Sequence, residues 1–162
     1  MIKNLFPKSC LLLVMMSIGC GGATGPALVS VKGKVTVEGS EPFKHGIVRF
    51  IPAPGTSAGS GEAITDENGN FVIRVSSDKT GLQPGEYNVG FSLFQMPDGS
   101  PLPDQTGEPN PKEPAELGGV QFVPADYSIG STKQTASVSA LGETFEFDIP
   151  ELKAQPKKGA RR

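Results

Sequence analysis

The chain has 162 residues, with 15 Lys and Arg against 17 Asp and Glu for a formal net charge of −2. Its 21 Gly and 15 Pro, set against only 36% hydrophobic residues, suit one domain and exclude a helical bundle or coiled coil, which would be rich in Ala, Leu, Glu and Lys. Between residues 28 and 149, 8 Lys and Arg face 16 Asp and Glu, a balance of −8, and an acidic body of this kind excludes nucleic acid as a partner, because phosphates call for a basic face.

The first nineteen residues have the three parts of a secretory signal. Lys3 and Lys8 form the positive start, and an apolar run over 10–18 follows, centred on Leu11, Leu12, Leu13 and Val14. The run is far shorter than the ~20 residues that cross a bilayer. Its end, Ser17-Ile18-Gly19-Cys20, resembles the lipobox of bacterial lipoproteins, although Ser17 stands where that family prefers Leu. The resemblance implies cleavage before Cys20, a diacylglycerol on its thiol and anchorage in a membrane. Of the two cysteines, Cys10 would leave with the leader. No intramolecular disulfide is then available in an oxidising compartment. The expected organisation is a signal peptide over 1–19, a lipidated linker over 20–29, a folded body over 30–149 and a basic, disordered tail over 150–162. The chain is expected to be exported to the bacterial cell envelope. Gly21 after Cys20 is not the Asp that retains some lipoproteins at the inner membrane, which favours the outer membrane or periplasm.

From residue 31 onward the dominant period is two, so each run makes one apolar and one wet face. Val31, Val35 and Val37 alternate with Lys32, Lys34 and Thr36. Further runs follow at 46–51, 61–65, 71–75 (Phe71, Ile73, Val75), 87–93 (Tyr87, Val89, Phe91, Leu93) and 135–140. The last is Phe145, Phe147 and Ile149. No stretch has the three-to-four spacing of an amphipathic helix. The prediction is an all-β sandwich of about seven strands in two sheets. Asn68-Gly69 predicts a two-residue hairpin with positive φ at both positions, and Pro84-Gly85 a turn before Tyr87. Residues 96–118 hold six prolines and little apolar beyond Leu102 and Leu117, which predicts a long Pro-rich loop insertion, extended or mobile.

The chemistry-bearing patterns are turn-like. Gly55-Thr56-Ser57-Ala58-Gly59 matches a nucleophile elbow, but no helix follows, and the lone histidine, His45, precedes it. Asp66-Glu67-Asn68-Gly69-Asn70 offers oxygens, yet Gly69 is fourth where a calcium loop has glycine sixth. His45 has no His or Cys partners for a metal site. Asp126 and Asp148 could pair as acids only if the fold joined them, and Asp148 alternates outward on its strand. The sequence therefore predicts no enzyme, no catalytic residue, no cofactor and no metal. The candidate binding residues are Phe94 and Phe122, beside the Pro-rich insertion, for an envelope glycan or peptide.

Val31-Lys32-Gly33-Lys34-Val35-Thr36, then Gly46-Ile47-Val48-Arg49-Phe50, then Thr65-Asp66-Glu67-Asn68-Gly69-Asn70-Phe71, resemble the carboxypeptidase regulatory-like domain, a transthyretin-like sandwich. Leu82-Gln83-Pro84-Gly85-Glu86-Tyr87 is similar to its P-G-x-Y turn, and Val123-Pro124-Ala125-Asp126-Tyr127-Ser128 to a later P-x-x-Y segment. The resemblance runs from residue 30 to 149, interrupted by the insertion. It implies an accessory role, structural or in binding, without peptidase activity. The partners it implies are the membrane through the anchor and an envelope glycan or protein.

Overall fold

In the structure of the protein, a computed structural model, residues 27–156 are described. They form a β-sandwich. One sheet has six antiparallel strands in the order β11 (Thr135–Val138), β8 (Gly85–Ser92), β3 (Ile47–Pro52), β4 (Gly61–Ile64), β6 (Arg74–Ser76) and β7 (Lys79–Thr80). In the other, β1 (Val31–Val37) runs parallel to β12 (Glu143–Ile149) along all seven residues. That uses one edge of β1 completely, so β2 (Glu41–Pro42) and β5 (Asn70–Val72) share the opposite edge. A two-stranded ribbon, β9 (Phe94–Gln95) with β10 (Val120–Gln121), closes the neck of the Pro-rich insertion. Six of the seven expected runs contain a single strand each, and the seventh, 71–75, is divided between β5 and β6. The four two-residue pieces β2, β7, β9 and β10 are too short to carry a period.

Alternation builds the core as expected. Val31, Val35, Val48, Phe50, Ile73, Tyr87, Val89 and Phe91 are fully buried. Aromatic rings stitch the sheets together. Phe50 of β3 lies 5.6 Å from Phe145 and 6.3 Å from Phe147 of β12, 6.0 Å from Tyr87 and 6.4 Å from Phe71. Phe147 in turn lies 5.4 Å from Phe91. Such pairs add about 0.5–1.5 kcal/mol each to the burial of their area. The Tyr87 hydroxyl donates to the Gln83 carbonyl at 2.7 Å, four residues upstream, a tyrosine corner that fixes the Pro84-Gly85 turn on the core. Burial pushes the pKa of that hydroxyl up.

Three expectations about strands and turns change. The run at 71–75 is not one strand of one sheet: β5 pairs with β1 and β6 with β4, and the chain changes sheets at Ile73. The outer face of β8 is wet only in its first half, at Glu86 and Asn88, and is covered at Gly90 and Ser92. Residues 127–129 run beside it, with the Phe91 N–H donating to the Tyr127 carbonyl, and Ile129 folds over Gly90. A Cβ on Gly90 would come within 2.7 Å of the Ile129 Cα, so only glycine fits there. The turn after β4 is also different. Gly69 has φ +79, but Asn68 is not left-handed, and the Asp66 carboxylate builds the turn instead by accepting the Asn68 and Asn70 N–H groups.

The insertion has no regular structure, yet side chains fasten it. Asp98 accepts the Ser100 N–H and hydroxyl, Asp104 does the same for Thr106, and Gln105 bonds both backbone groups of Lys112. The basic end, expected to be disordered from residue 150, lies along β10 as far as Gln155. Lys153 N–H donates to the Phe122 carbonyl and Gln155 N–H to that of Gln121.

Phe50→Ala removes the ring that touches both sheets. It should lower unfolding free energy in urea by about 3–5 kcal/mol. Ile64→Ala, whose side chain is exposed, should change it by less than about 0.5 kcal/mol.

Candidate functional site

The sheet change at Ile73 leaves a gap. Before Ile73 the chain follows β1, and after it the chain follows β4, so β4 is paired on this side only at Glu62, opposite Arg74. Between the two sheets lies an open cleft of about 910 Å3, lined by β4, β5, β6 and the outer residues of β3. Its ends are closed chemically. At one end the Asp66 turn occupies the free edge of β5, since Asn70 N–H goes to Asp66 Oδ1 and the Asn70 carbonyl accepts the Asp66 N–H. At the other end β6 pairs with β4. What remains open is a short window between Ile64 and Val72.

Both residues are exposed although both are aliphatic, Ile64 at 69% and Val72 at 50%. They are two of the four exposed large hydrophobic residues among those described. The alternation of β4 explains Ile64: Gly61 and Thr65 face the core, so Glu62 and Ile64 face out. Thr65 is buried because its hydroxyl has work there, donating to the Phe43 carbonyl and accepting the Gly46 N–H. Charge in the cleft is unequal. Arg49 takes Glu62 through both Nε and Nη2, an ion pair across β3 and β4. Arg74, also on the rim, has no ion pair among the described residues. The cleft therefore offers aliphatic lips, strand edges and an uncommitted guanidinium. Exposed backbone edges accept a further extended segment, and arginine matches a carboxylate with two parallel hydrogen bonds.

The Asp66 turn is the polar wall of this site. The Asn70 side-chain amide, followed by the Asn70 and Asn68 backbone N–H groups, holds the Asp66 carboxyl below its usual range. Asp78, Asp98 and Asp104 are lowered in the same manner by Ser76, Ser100 and Thr106.

The residues singled out by the sequence are scattered. Phe94 and Phe122 both flank the insertion neck and are half-buried, but they do not form one platform. Phe94 is opposite Gln121 in the ribbon, while the Phe122 N–H reaches the Leu93 carbonyl, so the two side chains leave opposite faces. Neither ring stacks on another aromatic ring among the described residues. Between them Gln121 organises the neck. Its Oε1 accepts the N–H groups of Leu93, Phe122 and Val123, and its Nε2 donates to Ser92 Oγ. Nothing in the sequence sets this glutamine apart. His45 sits on a polar turn with Nε2 2.8 Å from Glu67 Oε1. Asp126 pairs with Lys133, and Asp148 accepts from Thr36 and Gly39, so the two acids do not meet. Ser57 is exposed on the 53–60 loop. Among the described residues no three His, Cys, Asp or Glu side chains gather around a metal-sized space. Cys20 and the leader lie outside the described residues.

No family model, curated protein or solved structure matches the chain.

A depressed folded pKa stabilises above the unfolded value, and that stabilisation is lost as pH falls through the folded value. Stability should therefore hold from neutral pH down to about 4 and fall below that, where the unfolded aspartates take up protons first. Asp66→Asn keeps an oxygen acceptor for the turn. It should reduce the slope of unfolding free energy against pH below about 4, while the slope near pH 7, where the carboxylate is ionised in both states, stays the same, as read by urea melts across that range.

Proposed function

We propose that this chain is an exported, lipid-anchored protein of the bacterial cell envelope whose sandwich is a non-catalytic interaction module of carboxypeptidase regulatory-like type. Its cleft holds a short, extended, aliphatic segment of a partner protein. The observation that carries this reading is the window at the sheet change. Ile64 and Val72 are exposed on two facing strand edges, with Arg74 beside them and in no ion pair among the described residues. An aliphatic side chain seated there covers both lips, and a neighbouring carboxylate answers Arg74. Because the window spans only the residues between the Asp66 turn and the Glu62–Arg74 pair, it suits a few residues of strand rather than a whole added strand. Affinity then rests on side-chain pockets as much as on backbone bonds.

Anchoring is supported by the cysteine arithmetic. Cys20 closes the apolar leader and is the one cysteine left once the leader is removed. A second reading has the Pro-rich insertion as the binding element, with Phe94 and Phe122 at its base contacting an envelope glycan. The fastening of the insertion by Asp98, Asp104 and Gln105 favours it, since a shaped loop binds at lower entropic cost than a loose one.

Two measurements test the proposal. Intact mass of the native protein should begin at Cys20 and carry acyl chains; an unmodified Cys20, or a retained leader, overturns the anchor. A photo-crosslinking side chain at Ile64 should yield a polypeptide adduct in envelope preparations, and Val72→Glu should reduce it about tenfold by placing a charge on the apolar lip. Adduct formation indifferent to Val72→Glu but lost in Phe94→Ala/Phe122→Ala would select the insertion instead.

A further inference from the structure

The strand registers sort the loops into two poles. β1 and β12 start together, as Val31 pairs with Glu143, and β8 starts against the end of β11, as Gly85 pairs with Val138. β3 ends where β4 begins, and Leu82 bridges Val29. One pole therefore gathers residues 27–30, the 53–60 loop, the 81–84 turn and the 139–142 turn. The other gathers the 38–46 and 66–70 turns, the insertion neck and the segment after Ile149.

The poles differ in charge. The second carries Glu38, Glu41, Lys44, His45, Asp66, Glu67, Glu151 and Lys153. At the first, residues 27–31, 53–61, 81–85 and 137–142 hold no charged residue, and the sequence 21–26 carries none either. The first charges inside the strands are Lys32, Glu62, Glu86 and Glu143, and only the β6–β7 turn, with Asp78 and Lys79, departs from the pattern. The same pole displays Leu141, 98% exposed at the tip of its turn, and Leu28 at 37%. The Ser30 carbonyl takes the Glu143 N–H at 3.0 Å, which ties the Leu141 turn to the entering chain.

We infer that this uncharged pole rests in the headgroup layer of the membrane, with Leu141 entering the acyl boundary. The inference rests on the lipid-anchor reading above and adds a second, protein-borne contact to it. The length and position of the preceding chain select the occupant. Cys20 is nine residues before Val29, so even fully extended the linker keeps the pole within about 30 Å of the anchored lipid. A linker without charges crosses the headgroups with no ion to desolvate. An exposed leucine beside a lipidated terminus meets bilayer before it meets any other surface. The consequence is orientation: the insertion and the 66–70 turn face away from the membrane.

The chain has no Trp, so Leu141→Trp adds a single reporter. In the acylated full-length protein, reconstituted in phosphatidylethanolamine–phosphatidylglycerol vesicles, the indole at position 141 should emit to the blue of one introduced by Asn68→Trp at the far pole. Lipids brominated near the top of the acyl chain should quench it several-fold more strongly. Because Trp has its own interfacial preference, hydrogen exchange of the unsubstituted protein provides a second reading. The 140–142 amides should exchange about tenfold more slowly on vesicles than in the unlipidated Cys20→Ser protein in solution. Equal emission and unchanged exchange in protein of verified acylated mass would overturn the inference and leave the anchor standing. A mass without acyl chains would remove the anchor first. Protection that rises with protein concentration without lipid would assign Leu141 to a second copy and equally overturn it.

Discussion

The fold turns on one residue. At Ile73 the chain leaves one sheet and joins the other, and because Ile73 is fully buried the crossing occurs through the core rather than around it. Its N–H stays with the Val31 carbonyl, while its carbonyl takes the Gly81 N–H. A single residue thus joins β1 to the loop preceding β8. Two sheets joined in this way cannot slide past each other without breaking the backbone bonds of Ile73. They can, however, part where the crossing leaves β4 unpaired. The cleft is the geometric remainder of the crossing.

That remainder has to be managed, because an unpaired strand edge invites association with other chains. The Asp66 turn limits one end, and the Arg49–Glu62 ion pair with β6 limits the other. Both devices are polar and exposed, so they restrict the edge while adding little to stability. Stability lies elsewhere, in the ring cluster around Phe50 and Phe147. The division explains how Ile64 and Val72 can face water beside a densely packed aromatic core.

Much of the architecture was legible from period-two alternation, because a strand buried on one face writes its orientation into every second residue. The crossing at Ile73 was not. Phe71, Ile73 and Val75 alternate without a break, and alternation records which face is buried, not which strand lies alongside. The burial of Gly90 and Ser92 escaped for a related reason. Ile129 and Gln121 cover them from a part of the chain that has no period. The turn at Asn68-Gly69 reads as a two-residue hairpin only if its flanking strands are partners, and here they belong to different sheets.

The cleft was hidden by the same limitation. Ile64, taken alone, reads as one more apolar position in a weak strand. Only the pairing of Glu62 with Arg74 and the burial of Thr65 reveal that it points outward into a gap. Phe94 and Phe122 show the same limit. Both stand beside the Pro-rich segment in sequence, but the ribbon places them on opposite faces, since opposite residues share a face and their chain neighbours do not. Polar organisers such as Gln121 leave no trace in composition, because three amide acceptances by one side chain depend on distances that only the folded neck creates. Surface chemistry here is a consequence of strand partnership, and partnership is the property that a single sequence records least.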